Sequence, residues 1–352
     1  MKRRLAFLAV PAAVVVVLAA LDPGLLGRLT LGLPGGALAL LVGLLVVNEV
    51  VKGARWAFML RSSQLDIRAV DAVTSYLAAG SAAALPGSSM LTVRLAQEHG
   101  SVRMHQATAG LIGESMADLT ALGLLGAAAV ILTHVPAVEL LVPAMALAAV
   151  AGSALGLRSR RVRHWATSLL GRRKFTRKLV PREEELLDRA ALMMRPRALA
   201  GASAFSIVST ILSVLMLLTI AVGLSGDHIG PLRMLYVHTF SILERMVVPV
   251  PGGYGVGDAS LAGMLSVVGL GLAQATLVAL AHRSASTLVR TAIGFGVLGV
   301  RYPHLLTVPF EAIGALAHRL APGRRQRMPL PLRFAPPARP AEITVDLPGI
   351  GD

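Results

Sequence analysis

The chain has 352 residues, of which 55% are hydrophobic and only 15% are charged, and it contains no cysteine. A soluble domain of this length could not bury so much apolar surface in one core. The absence of cysteine excludes disulfides, thiolate metal sites and cysteine nucleophiles. The net charge of +15 does not indicate nucleic-acid binding, because the basic residues border apolar runs instead of covering a soluble module. Such a distribution is typical of cytoplasmic loops beside membrane spans and anionic headgroups.

Long apolar runs without Asp, Glu, Lys or Arg predict an all-α, polytopic transmembrane helical bundle. Most of them approach or exceed the roughly 20 residues that span a hydrocarbon core, and the alternation of a β-barrel does not recur. The first run follows Met1-Lys2-Arg3-Arg4 and is predicted to be an uncleaved helix, with a cleaved signal peptide as the alternative. The runs are Leu5–Leu21, Leu29–Asn48, Leu119–Val138, Leu140–Leu157, Ala198–Gly226 and Ala259–Ala281.

The distribution of Lys and Arg orients these runs. Residues 158–197 hold thirteen basic and four acidic side chains, which predicts a cytoplasmic loop. The same rule places both termini in the cytoplasm and gives about six full crossings of the plasma membrane. We expect a transmembrane domain over residues 1–320 and a disordered Pro/Arg-rich tail over 321–352. Within the loop, Arg182–Met194 is predicted to form an amphipathic helix on the headgroups.

Two apolar segments are broken by proline and glycine. Val70–Leu85 ends at Leu85-Pro86-Gly87 before a second helical stretch to about His99, and Leu232–Leu270 is interrupted at Val250–Gly255. The charge pattern places both ends of each segment on one side of the membrane. We therefore predict two re-entrant hairpins that enter from opposite faces, in an inverted repeat with discontinuous helices. The alternative is two ordinary spans kinked by proline.

Charged residues inside apolar segments mark candidate functional positions, because a charge in the bilayer is costly. Glu49, Lys52 and Arg55 share one helix face, and they fit either a cytoplasmic border with local ion pairs or a functional group. Glu114 and Asp118 lie one turn apart, so their charges repel unless a cation meets them.

Arg94 or Arg103 is near enough in sequence to be the cation that meets Glu114 and Asp118. The alternative is a plain acidic pair at the start of a helix, where the helix dipole favours negative charge.

A third group brackets the second break. Glu244 and Arg245 precede it, and Asp258 follows it. Glycines let backbone approach a ligand closely, and the helix that starts after the break suits a phosphate. The simplest interpretation of Asp258 itself is the N-cap of that helix.

A fourth group, His282, Arg283 and Arg290, lies in the last full crossing. Arg283 and Arg290 are seven residues apart and share a face, so we expect them to point to the protein interior or a wet cavity. No nucleotide loop, metalloprotease spacing or serine elbow is present, and neither a cofactor nor a metal is predicted.

The stretch around the second break resembles a known family. It runs from Glu244-Arg245 through Pro249-Val250-Pro251-Gly252-Gly253-Tyr254-Gly255-Val256-Gly257-Asp258 to a small-residue helix with His282-Arg283. It is similar to the flippase-like family, the transmembrane region of lysylphosphatidylglycerol synthases and of related stand-alone membrane proteins. Earlier motifs follow in the family's order, namely Asn48–Arg61 with Arg55-Trp56, Leu85-Pro86-Gly87 with Arg94, and Glu114 with Asp118. The resemblance covers roughly Leu29–Val300.

The chain departs from the family pattern at three places. Met90-Leu91 stand where the family has a Gly-Glu pair, Ser115 replaces an arginine, and Asp258 replaces a glutamate. If these positions contact headgroups in the family, the departures bear on which lipid this chain accepts.

The resemblance implies a membrane protein that handles lipids, translocating an anionic, aminoacylated or glycan-linked lipid between leaflets. A non-catalytic partner of a lipid-modifying enzyme or glycosyltransferase is the first alternative. A membrane-embedded enzyme using Glu244 or Asp258 as acid or base is the second. Without a synthase domain, lipid aminoacylation by this chain is not expected. The candidate lipid-binding residues are Arg94, Glu114, Asp118, Glu244, Arg245, Pro251, Gly252, Gly253, Gly255, Asp258, Arg283 and Arg290.

Overall fold

The chain is helical through the ranges that the structure describes. The computed structural model describes residues 34–83, 88–98, 102–159, 183–225, 229–247 and 256–303, with isolated positions between 161 and 168. These continuous ranges contain ten α-helices, two 3-10 segments and no strand. The helices are α1 (Gly35–Ser62), α2 (Ala69–Ala79), α3 (Ser88–Glu98), α4 (Met104–Thr133), α5 (Leu141–Arg158), α6 (Glu183–Met193), α7 (Pro196–Ser225), α8 (Pro231–Val247), α9 (Val256–Val267) and α10 (Leu272–Arg301).

Four described stretches are long and apolar enough to cross a bilayer. They are α1, α4, the stretch Ala137–Arg158 that includes α5, and Pro196–Leu224 in α7. Helix α10 is as long as α4, at 30 residues, and its rise of about 45 Å also suffices, although His282, Arg283 and Arg290 make it more polar. The predicted all-α, multi-pass membrane bundle is confirmed. Leu5–Leu21 and the tail from residue 321 lie outside the described residues, so the predicted domain division stays a prediction.

Both broken segments consist of paired short helices. Helices α2 and α3 have 11 residues each, so each is about 17 Å long and too short to cross a hydrocarbon core of about 30 Å. They pack against each other, as do α8 with 17 residues and α9 with 12 residues. The connecting turns, residues 84–87 and 248–255, lie outside the described residues. The helix lengths fit the predicted hairpins better than kinked full spans.

The chain repeats one order of elements. A long helix, two short helices and a long helix occur as α1–α4 and again as α7–α10. The cores of the two sets meet, because α1 packs on α7 and α4 packs on α8. This order is the one expected of a repeat, while entry of the two hairpins from opposite faces stays a prediction.

Helix α6 forms where an amphipathic helix was predicted, but its apolar face packs on protein. Leu186, Ala190 and Met193 are buried, and Met193 belongs to a core cluster with Met59 of α1. The prediction that this face rests on lipid headgroups is wrong. A Cβ on Gly113 of α4 would collide with Met59 and Met193, so a glycine at this position lets α6 pack closely on α4.

Two glycines let α10 lie close to the 3-10 segment Gly80–Ala82, which follows α2 in the first hairpin. A Cβ on Gly80 would lie 2.7 Å from the carbonyl oxygen of Arg290, and one on Gly294 would collide with the backbone of Gly80 and Ser81. This close crossing places the Arg290 side chain beside Tyr76 of α2, with Nη2 3.5 Å from the Tyr76 hydroxyl. It therefore positions one wall of the cavity described next.

Candidate functional site

A cavity of about 740 Å³ lies among the helices of both sets, and its walls are unusually polar for a membrane bundle. Four acidic and five basic side chains line it, an excess of one positive charge when all are ionised. Because isolated charges are costly in a bilayer, such a concentration marks a site where water or a polar ligand is accommodated. The charged lining residues are Glu49, Lys52, Arg55, Glu114, Asp118, Arg245, Asp258, Arg283 and Arg290.

Arg55 is the best-anchored charge in the cavity. Its Nη2 donates to Glu114 Oε1 at 2.5 Å, and its Nη1 donates to Asp118 and, at 2.7 Å, to Ser206 Oγ of α7. The Arg55 side chain is 5% exposed, that of Glu114 13% and that of Asp118 35%. One buried guanidinium thus serves two carboxylates that lie one turn apart on α4.

The predicted cations for Glu114 and Asp118 were wrong. Arg94 points to the surface, where it pairs with Glu98 at 3.5 Å with a side chain that is 62% exposed. Arg103 precedes α4, and its backbone N–H donates to the side chain of Gln106. Nearness along the chain misled the prediction, because the end of α1 packs across α4 and brings Arg55 to the carboxylates from 59 residues away.

Glu49 has the opposite balance, one carboxylate with two cations. Lys52 Nζ lies 3.1 Å from Glu49 Oε1, and Arg290 Nε lies 3.3 Å from Oε2. The Arg290 guanidinium also stands 5.4 Å from the centre of the Tyr76 ring, within range of a cation–π contact. The local Glu49–Lys52 pair was anticipated, but its enclosure in the cavity was not. The signal in the sequence was three charges at spacings of three on an apolar helix.

The second hairpin and α10 together form the wall that contains Arg245, Asp258 and Arg283. Arg245 of α8 lines the cavity and has no hydrogen bond or ion pair with another described residue, and its stem lies so close to Gly257 that a Cβ there would be 2.5 Å from Cδ. Arg283 Nη1 lies 3.4 Å from Asp258 Oδ1. Asp258 lies in the first turn of α9, two residues after the helix begins at Val256, and not at the predicted N-cap.

Among the other predicted residues, Glu244 does not line the cavity. It is exposed, and it accepts a hydrogen bond from Ser260 of α9. Pro251, Gly252, Gly253 and Gly255 lie outside the described residues. Of the twelve candidates, the structure brings six to the cavity, namely Glu114, Asp118, Arg245, Asp258, Arg283 and Arg290.

Neutral polar groups complete the lining, and of those described next only His282 belonged to a group that the sequence marked as a candidate. His238 and His282 face each other with ring centroids 6.0 Å apart, and Nε2 of His282 is buried without a hydrogen-bond partner in the described chain. Ser209 Oγ of α7 donates to Asn48 Oδ1 at 2.7 Å. Single histidines and serines on apolar helices carry no distinctive spacing, so only the packing shows that they meet. No cluster of metal-ligating side chains occurs among the described residues.

The arrangement can hold an anionic group among several donors. Cations outnumber carboxylates, and hydroxyl, amide and imidazole groups can bond the rest of a polar headgroup.

Comparison with known proteins identifies the family. The model of the family described as "Lysylphosphatidylglycerol synthase TM region" matches residues 4–294. The match includes α1 to α9 and most of α10, and thus all the charged residues of the cavity. No curated protein and no solved structure matches the chain. Since the match covers well over half of the chain, the protein belongs to the family of the lysylphosphatidylglycerol synthase transmembrane region, whose members are membrane proteins of lipid handling.

Proposed function

We propose that the protein binds an anionic lipid by its headgroup in this cavity and moves the headgroup between the leaflets of the plasma membrane. The observation that carries the proposal is a cavity of about 740 Å³ with five basic side chains inside a bundle of membrane helices. The volume lies within the range of about 300–1,000 Å³ for small-molecule sites. A headgroup would enter while its acyl chains stay in lipid.

The bonding of the basic side chains supports an anion near the second hairpin. Arg55 is held by contacts to two carboxylates, Arg283 lies 3.4 Å from Asp258, and Arg290 lies 3.3 Å from Glu49. Arg245 has no such partner in the described part of the chain. A phosphate oxygen would therefore gain most at Arg245, where no existing ion pair has to be broken.

The paired short helices support movement of the headgroup. Discontinuous helices that meet near the middle of the membrane are the usual place for a transported polar group, since their ends offer free backbone donors. Helix α9 begins at the cavity with Gly257 and Asp258 among its lining residues. For the alternative of an embedded enzyme, Glu244 lies outside the cavity lining, whereas Asp258 lines the cavity with its carboxylate 3.4 Å from Arg283.

The test is movement of fluorescent phosphatidylglycerol in vesicles that contain the purified full-length chain, followed by quenching from one side. We expect faster movement than in protein-free vesicles and a fall of at least about tenfold in Arg245→Gln, because one charge-assisted hydrogen bond is worth about 1.5–3 kcal/mol.

The matched control is Arg233→Gln. Arg233 is an exposed residue on the same helix that does not line the cavity, so this variant should move the lipid at the unchanged rate. Movement by the intact chain no faster than in empty vesicles contradicts the proposal, and an equal loss in both variants contradicts the assignment of Arg245.

A further inference from the structure

The cluster formed by Arg55, Glu114 and Asp118 has a charge balance that the lipid site does not explain. Two carboxylates share one guanidinium, through contacts at 2.5 Å to Glu114 and a still shorter one to Asp118. The three groups together carry one negative charge when all are ionised. Uncompensated charge in a poorly solvated interior is costly, and paired carboxylates relieve it by holding one proton between them.

Among the described residues, no second cation forms an ion pair with Glu114 or Asp118. The charged and titratable groups that interact with Glu114 include Arg55 of α1, Asp118 of α4 and the more distant Arg290 of α10, together with the phenol of Tyr76 of α2. Arg290 lies 3.3 Å from Glu49, which already has Lys52 at 3.1 Å.

The other helices that pack on α4 place no charged side chain in an ion pair with Glu114 or Asp118 among the described residues, and α5 carries no charged residue before Arg158 at its end. On α8, His238 and Arg245 line the same cavity, and Arg245 interacts electrostatically with Arg283 and Asp258. On α6, Glu185 bonds to His105 and Gln106, two turns before Glu114. On α3, Arg94 pairs with Glu98 at the surface, and α7 contributes the Ser206 hydroxyl.

A second observation is that Arg55 keeps one hydrogen-bond donor without a partner among the described residues. Its Nε–H is buried and has no hydrogen-bond partner among the described residues, although the side chain is only 5% exposed. Arg55 also lines the cavity. An oxygen atom from the cavity, of water or of a headgroup, would satisfy this donor once a carboxylate loosens its hold on the guanidinium.

We propose that Glu114 is a proton-binding site coupled to the lipid cavity, so that one proton binds as an anionic headgroup enters. Glu114 is the carrier because it is the more enclosed carboxylate, and Asp118, at 35% exposure, links it to the cavity. A hydronium ion in the cavity gives its proton to the Glu114 carboxylate and remains as water, and no bond of the lipid changes. The excess charge of the cavity rises from one to two, which favours the anion.

The proposal rests on the proposed function only for its coupling to lipid. The experiment therefore measures protonation of Glu114 separately from lipid movement. Infrared spectroscopy of the purified full-length chain, labelled with ¹³C-glutamate, is recorded as the pH is lowered to about 6, where ordinary glutamates with a pKa of about 4.3 stay ionised. We expect a protonated carboxyl band that carries the glutamate isotope shift and is absent in Glu114→Gln. The control, Glu98→Gln, changes a carboxylate outside the cavity and should keep the band.

The transport arm uses the same vesicles with fluorescent phosphatidylglycerol. Acidifying the side from which the lipid enters should speed its movement about tenfold, and Glu114→Gln, which mimics the protonated state, should move lipid at a rate that no longer depends on pH. Size-exclusion profiles and thermal unfolding establish that both variants fold. The titration of the glutamate band in the unmodified chain tests the proton site even if a variant does not fold.

The outcomes separate the two proposals. A titrating glutamate band together with pH-dependent movement supports both. Lipid movement without such a band, or with a pH dependence that survives Glu114→Gln, overturns the proton site and leaves the proposed function standing. A titrating band lost in Glu114→Gln without any lipid movement supports the proton site and overturns the proposed function.

Discussion

Arg55 holds two carboxylates in a nearly enclosed part of the cavity. We therefore expect replacement of Arg55 to reduce the stability of the fold strongly. Replacing it by methionine leaves Glu114 and Asp118 without a cation while keeping much of the side-chain volume. Breaking a buried ion pair on one side costs about 3–5 kcal/mol. We expect Arg55→Met to lower the thermal unfolding midpoint of the detergent-solubilised chain clearly.

The matched control for this prediction is Arg301→Met. Arg301 pairs with Asp71 at 2.9 Å, with a side chain that is 44% exposed, and surface pairs contribute at most about 1 kcal/mol. Equal midpoints for the two variants would show that the Arg55 cluster is not a buried network.

At this scale the sequence identified which residues matter better than it identified their partners. Glu114, Asp118, Arg245 and Arg290 stood out because charges are rare in apolar runs. Their pairing depends on contacts between helices far apart in the chain, such as the 59 residues between Arg55 and Glu114. Nothing in a single sequence indicates that Arg55, and not Arg94, pairs with Glu114 and Asp118.

At the scale of elements, the crossing of α10 over the end of the first hairpin depends on glycine. Gly294→Ala would push a methyl group into the backbone of Gly80 and Ser81, which cannot yield as a flexible side chain would. Overpacking of this kind costs about 1–3 kcal/mol. We expect a lower unfolding midpoint and slower lipid movement, since Arg290 lies one turn away.

Gly296→Ala is the control on the same helix. A Cβ at Gly296 meets nothing within 4 Å, so this variant should be neutral or slightly stabilised by the better helix propensity of alanine. An unchanged midpoint in Gly294→Ala would contradict the close crossing.

The docking of α6 is expected to depend on pH through Glu185. Hydrogen bonds from Gln106 and His105, each 2.7 Å, lower the pKa of the Glu185 carboxyl below its ordinary value of about 4.3. A lowered pKa in the docked state means that the contact stabilises docking at pH above the ordinary value. The stabilisation is lost as pH falls through the lowered pKa.

Hydrogen–deuterium exchange of Glu183–Met193 measures this effect. Glu185→Gln should raise exchange of α6 at neutral pH, and the intact chain should lose protection only in acid. Asp188→Asn, an exposed position on the same helix, serves as the control. Equal protection of α6 in the intact chain and Glu185→Gln at neutral pH would contradict the role of this contact.

For the whole molecule, the cysteine-free sequence allows a direct test of topology. Ser159 ends α5 and His134 ends α4, and the basic loop predicts that they lie on opposite sides of the membrane. We expect an impermeant maleimide to label Ser159→Cys only from the cytoplasm and His134→Cys only from outside. Ser88→Cys, at the start of α3 beside the first break, should label poorly from both sides.

The controls are the same variants in permeabilised cells, where the first two should label equally. Reversed labelling of the first two positions would overturn the predicted orientation. Ready labelling of Ser88→Cys from outside would overturn the re-entrant hairpin.

Composition and apolar run length determined by themselves that this is a multi-pass helical membrane protein, because a hydrocarbon core accepts only segments whose backbone is bonded internally. Proline and glycine at the two breaks likewise predicted short paired helices. Only the tertiary structure decided that Glu49, Lys52 and Arg55 line the cavity, that α6 docks on Gly113, and that Arg94 lies outside. These outcomes depend on which helix faces meet, and packing between distant segments leaves no mark on local periodicity.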